Sequence, residues 1–157
     1  MPERWVGIVV SGDNVIVVDA EVPDNGQLIL QNDATWKLQK GDRATGYNVI
    51  GQQCRDYVQG NGVTRVLIKA SAISLGGTKL AHLHSAELRG VIQGSAASVC
   101  RVKEFSKSAL SRNFGKRKVD EYTKDEGFWM THFTGAPLRA GSREAAIMLL
   151  FESGRNE

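Results

Sequence analysis

Cysteine is scarce. Cys54 and Cys100 are the whole complement, and neither has a CxxC partner or a neighbouring pattern of metal ligands. A disulfide framework and a thiolate metal site are thereby excluded, and both residues read as reduced core thiols. Long apolar runs are missing too: no stretch approaches the roughly 18 residues of a membrane span. The opening Met1-Pro-Glu-Arg-Trp5 lacks the basic and then apolar order of a secretory leader. The expectation is a cytoplasmic chain with no membrane association. Charge of one sign is also lacking, since 20 Lys and Arg face 17 Asp and Glu for a net charge of +3. That balance permits nucleic-acid binding without diagnosing it. Histidine gives no metal pattern either. His82 and His84, two apart on a predicted helix, point to different faces, and His132 stands alone. Ser74–Gly77 lacks the lysine and serine of a phosphate-binding loop. No Ser–His–Asp or Cys–His–Asn arrangement can be picked out.

What is present is an ordered series of elements in a 157-residue chain that is 41% hydrophobic, read as a single domain over 1–157. Trp5–Val10 is a continuous, β-branched apolar run suited to a central strand. Ser11-Gly-Asp-Asn14 is a tight turn, and Asn14–Ala20 is the returning strand. Pro23-Asp-Asn-Gly26 makes a second turn into a strand at Gln27–Gln31. Asp33–Arg43 reads as an irregular or mobile connection anchored by Trp36 and Leu38. From Tyr47 the period changes to helical, with Tyr47, Ile50, Cys54, Tyr57 and Val58 on one face and Gly60-Asn-Gly62 as the stop. Val63–Ala70 follows as a strand parallel to the first. A glycine-containing loop at Ser74–Thr78 leads to a helix that buries Leu80, Leu83, Val91, Ile92 and Ala96. Val99–Phe105 is another parallel strand, and Ser106 caps the next helix. Lys116–Phe133 carries a less regular helix, and Gly135-Ala-Pro137 breaks the chain. A last helix starts near Ser142 and buries Ala145, Ile147, Met148 and Phe151.

This order resembles the ribonuclease H-like superfamily, and within it the RuvC-type Holliday-junction resolvase branch. The resemblance rests on Val6-Gly-Ile8, Val66-Leu-Ile-Lys-Ala70, Lys79-Leu80, Glu87-Leu-Arg-Gly90, Val102-Lys-Glu-Phe-Ser106 and Arg143-Glu-Ala-Ala-Ile147, which together span most of the chain. It implies an α/β fold: a mixed five-stranded sheet, its first three strands antiparallel, flanked by helices. It also implies carboxylates on the first strand, the fourth strand and the last helix, holding two divalent ions that cleave a phosphodiester. Here those positions fall on Val9, Lys69 and Glu144. Valine offers no lone pair and lysine repels a cation, so one carboxylate is left where magnesium requires several hard oxygen ligands.

The preferred expectation is therefore a pseudoenzyme: a resolvase-like domain without cofactor, binding nucleic acid or a protein partner. Lys69 is the residue to watch, because a lysine in a buried-strand pattern must either be paired or reach water. If it is paired, Glu144 across the former metal site is the partner; otherwise it is a strand-end lysine whose ammonium reaches solvent. Lys107, Arg112, Lys116, Arg117 and Lys118 form the densest basic stretch and the candidate nucleic-acid surface. Asp120, Glu121, Asp125 and Glu126 follow it directly and offset part of its charge. A second expectation is a Mg²⁺- or Mn²⁺-dependent nuclease with relocated acids at Asp19, Glu87 and Glu144. A third is an assembly module or homodimer using an exposed aromatic run at Phe128, Trp129 and Phe133, a run that reads equally as a lid packing over the sheet.

Overall fold

In a computed structural model the first three strands form a meander, and the rest of the chain packs on both of its faces. The structure describes residues 2–72, 76–77 and 79–156. β1 (Glu3–Ser11), β2 (Asn14–Val22) and β3 (Leu28–Lys37) pair antiparallel in sequence order. Helix α1 (Arg43–Gly60) crosses back to β4 (Arg65–Lys69), which lies parallel to β1. Helix α2 (Leu80–Ala97) then returns the chain to β5 (Arg101–Phe105), parallel to β4. Three short helices follow: α3 (Lys107–Asn113), α4 (Val119–Thr123) and α5 (Glu126–His132). β6 (Phe133–Gly135) and α6 (Arg143–Glu152) complete the order.

Among the described residues the sheet has six strands, in the order β5-β4-β1-β2-β3-β6, rather than the five expected. β6 is only three residues long, too short to show a period of two. It is held by pairing with Leu28–Leu30 of β3. Gly135 is required there. Its φ is +94°, and a Cβ would lie 2.6 Å from the Leu30 carbonyl oxygen.

Alternation along β1 separates two cores. Val6 and Ile8 face α1 and α2, in a cluster with Ile50, Cys54, Val58, Leu88 and Ile92. Trp5 and Val9 face α6 and the short helices, in a cluster with Leu67, Tyr122, Trp129, Ala145 and Met148. Gly7 also faces α6. A Cβ there would lie 2.4 Å from the carbonyl oxygen of Ala145, so its absence lets the last helix sit directly on the central strand.

Several expectations change. β3 runs on to Lys37 where an irregular connection was expected, because the polar residues in it have distant partners. The Asp33 carboxylate accepts from the backbone N–H and guanidinium of Arg139 and from the Ser142 hydroxyl. Ser142 thus turns its hydroxyl to Asp33 and does not cap α6. α1 begins four residues before Tyr47, where Asp42 accepts from the Thr45 amide. Leu80 and Leu83 are exposed, and the buried residues of α2 begin only at Leu88. Phe128, Trp129 and Phe133 are buried, not an exposed run. The Trp129 indole donates to the Tyr122 carbonyl, and its ring packs among the other aromatics of α4 and α5. Those residues roof the sheet, which removes the basis for an aromatic docking surface. Of the expected loop at Ser74–Thr78, Ser74, Leu75 and Thr78 lie outside the described residues. No helix among the described residues is long and apolar enough to cross a membrane.

Candidate nucleic-acid interface

In open α/β sheets ligands bind beyond the carboxyl ends of the parallel strands. Here β1, β4 and β5 end together, and the cations gathered there are Lys69 at the end of β4 and Lys107 just past the end of β5. Lys69 is the last residue of β4, and its ammonium donates to the Glu144 carboxylate on the first turn of α6. Lys107, opening α3, lies 2.8 Å from Asp120 of α4 and 3.8 Å from the second oxygen of Glu144. Lys69, Glu144, Lys107 and Asp120 therefore alternate in sign and tie β4, α6, α3 and α4 together. Within this chain the hydrogen bond to Asp120 raises the Lys107 pKa, and that to Lys107 lowers the Asp120 pKa. Both groups keep their charge at neutral pH.

Beside this chain opens a cleft of about 650 Å³ lined by Lys69, Lys107 and Lys118, by Ser71, Ser106, Ser108 and Ser111, and by Asp120. Ser106 also accepts from the Ala109 amide, as its sequence position suggests. The three lysines come from β4, α3 and the residue before α4, so only folding gathers them.

Val9, at the matching end of β1, is 7% exposed and packed in the apolar core under α6. The fold implies a centre of two divalent ions at these strand ends, but the residues present do not fit one. The β1 position is hydrocarbon, the β4 position is an ammonium ion, and Glu144 is already engaged by that ammonium. Among the described residues no three His, Cys, Asp or Glu side chains are grouped to hold a metal.

The relocated acids do not converge. Asp19 lies on the opposite face of the sheet, fully buried, and takes a two-pronged contact from Arg4 at 3.0 and 2.6 Å. Tyr57 of α1 donates to the same carboxylate at 2.5 Å. Burial, and then this hydrogen bond, push the Tyr57 hydroxyl up to about 12. Glu87, on α2, is exposed and accepts from Tyr47 at 3.5 Å. Strand parity decides this outcome: Asp19 pairs with Val6, whose side chain faces α1 and α2, whereas Glu144 covers the other face.

The basic stretch divides as well. Lys107 and Lys118 line the cleft, and Arg112 and Lys116 are exposed. Arg117 is instead part of the packing. Its guanidinium lies over the Tyr122 ring, 4.3 Å from the centroid, and pairs with Asp125 at 3.0 Å. Sequence reasoning assigned no binding role to Ser106, Ser108 and Ser111. Serines at the cap and along a short helix carry no binding signal until the fold sets that helix beside Lys69.

This sheet order and these crossovers define a ribonuclease H-like fold of the RuvC resolvase type. The Thermus thermophilus RuvC structure matches with a TM-score of 0.68 at 11% identity, covering 98% of both chains. T. thermophilus RuvC in complex with Holliday junction substrate matches with the same TM-score at 10% identity, over 99% of this chain and 98% of that one. The yeast mitochondrial Holliday junction resolvase Ydc2 matches with a TM-score of 0.61 at 9% identity, over 94% of this chain and 77% of that one. No protein-family model and no curated protein sequence matches the chain.

Proposed function

We propose that this chain is a nucleic-acid-binding domain of resolvase fold that does not cleave, in which Val9 and Lys69 stand where two of the fold's metal-binding acids are expected. The observation that carries this reading is the cleft beside the strand ends that gathers Lys69, Lys107 and Lys118 with Ser71, Ser106, Ser108 and Ser111. A phosphodiester needs neutralising charge and hydrogen-bond donors, and ammonium groups and hydroxyls supply both without a metal. One neighbour of the same fold was solved with a Holliday junction, which makes branched DNA the first ligand to try.

The test is fluorescence anisotropy on labelled four-way-junction, duplex and single-stranded DNA across a salt series. The wild-type protein is expected to bind with a log–log salt dependence proportional to the number of phosphates it neutralises. Lys107→Ala/Lys118→Ala should bind more weakly on every DNA, with the slope on duplex reduced by about 2, at roughly 0.9 for each phosphate no longer neutralised. Binding by the double variant equal to wild type would remove the cleft as the interface. Alanine at Lys116, Arg117 and Lys118 together is a poorer test, since Arg117 supports the aromatic roof.

Metal addition supplies a second expectation. Excess Mn²⁺ should leave Tm unchanged and induce no cleavage. A site whose Kd were a hundredth of the metal concentration would add about 2.7 kcal/mol and raise Tm visibly. A rise in Tm or a cleavage activity that Glu144→Ala abolishes would return the chain to the nucleases.

A further inference from the structure

We infer that a bound strand makes a second backbone contact in the hollow formed by Arg65, Arg101 and Lys103, running along the β5 edge between this hollow and the lysine cleft. The inference rests on the nucleic-acid reading above and extends it to a separate surface.

The hollow, about 480 Å³, lies at the opposite end of β4 and β5 from the cleft and is lined by Arg65, Leu67, Arg101, Val102, Lys103 and Glu152. Parallel register pairs Arg65 with Arg101 and Leu67 with Lys103, so these side chains share the face that carries α6. α6 covers the sheet as far as β4, and its last residue, Glu152, reaches the hollow. Glu152 divides its carboxylate between Arg65 at 3.0 Å and Lys103 at 2.9 Å. Arg101 is exposed and has no ion pair among the described residues. Three cations thus meet one carboxylate, leaving a net positive basin. Arg65 is also held in place, its guanidinium 4.6 Å from the centroid of the Trp5 ring.

Charges on an edge strand often serve only to block pairing with other chains, and charges of either sign would do that. On this face of β5 the charged residues are all cations gathered round a hollow, while Glu104 on the other face is paired with Arg89. Continuing along β5, Lys103 is followed by Phe105 and then by Lys107 of the cleft. From residue 101 to residue 107 is about 20 Å at roughly 3.3 Å per residue. That length matches about six phosphates at 3.4 Å each along a helical strand. The two basins therefore suit two points on one strand.

The experiment measures anisotropy of single-stranded 3-, 6- and 12-mers with wild type, Arg101→Ala/Lys103→Ala and Lys107→Ala/Lys118→Ala, all checked for folding by circular dichroism. Wild-type affinity should rise with length beyond the 3-mer. Arg101→Ala/Lys103→Ala should bind the 12-mer roughly tenfold more weakly, with a salt slope lower by about 1.4, yet bind the 3-mer like wild type. Arg101→Glu alone, at an exposed position, should weaken 12-mer binding as well and serves if the double variant is unstable. If the Arg101/Lys103 and Arg101→Glu variants match wild type on the 12-mer while the Lys107/Lys118 variant is weakened, the second contact is wrong and the cleft stands. If wild type binds no DNA, the second contact and the cleft reading fall together.

Discussion

Arg4→Ala is expected to destabilise the fold more than Asp19→Ala, although each removes the same ion pair. Asp19 has no exposed surface, whereas the Arg4 side chain is 27% exposed. Without Arg4, the carboxylate stays buried with Tyr57 as its remaining donor, an uncompensated charge that costs about 3–5 kcal/mol. Without Asp19, the guanidinium can turn to water and the Tyr57 hydroxyl still accepts from Asn32, so the loss falls to about 2 kcal/mol. The double variant should cost less than the sum of the two. At about 2–4 °C per kcal/mol for a domain of this size, thermal melts resolve the difference. Equal losses, or the reverse order, would mean that the carboxylate finds water or a proton on opening. In either case the network is structural: it pins the start of β1 beneath the end of α1, at the point of β2 that faces the bulge at Gln31 of β3.

Gly7→Ala should be the most damaging small substitution in the chain. The added methyl would meet the Ala145 carbonyl oxygen at 2.4 Å and its carbon at 3.1 Å. Both are backbone atoms, so no rotamer change relieves the clash and α6 must lift from β1. Overpacking of cores typically costs about 1–3 kcal/mol, and a collision with helix backbone belongs at or above the top of that range. Glu144 is the neighbour of Ala145, so the same lift would part it from Lys69 and deform the cleft. Lower Tm together with weaker DNA binding is the expected pair of results. Gly90→Ala is the matching control. A Cβ there meets nothing within 4 Å, and replacing a helical glycine should be neutral or stabilise by up to about 1 kcal/mol. A Gly7→Ala protein as stable as wild type would show that α6 does not rest on β1 as closely as described.

Much of the order is legible in the residues. Trp5–Val10 and Val66–Ile68 announce central strands because parallel strands covered on both faces are continuous in β-branched and apolar residues. Ile50, Cys54 and Val58 announce a helix face by their spacing. Two regions mislead for the same physical reason, that their stability comes from distant partners. The end of β3 carries Asn32, Asp33 and Thr35, a turn-like composition made compatible with a strand by Tyr57, which accepts from Asn32, and by Arg139 and Ser142, more than a hundred residues away, which engage the other two. β6 has no signal of its own and exists because Leu28–Leu30 offers an open edge. The aromatic residues of α5 read equally as a docking surface or as a lid over the sheet, since a short helix with no clear period does not disclose which side is covered.

Of the candidate site, the sequence by itself determined which charges were available: no acid at Val9, a cation at Lys69, a lone carboxylate at Glu144, and lysines at 107 and 118. Residue identity settles that, because no fold can give a valine a lone pair or a lysine a negative charge. Only the tertiary structure decided which of these groups meet. Parallel pairing of β4 with β1 and β5 brings the strand ends together, and the close approach at Gly7 lowers α6 until Glu144 reaches Lys69. Strand parity sends Asp19 to the opposite face, where Arg4 and Tyr57 engage it. A side chain's chemistry is local, but its partner is set by where the backbone places a residue many positions away.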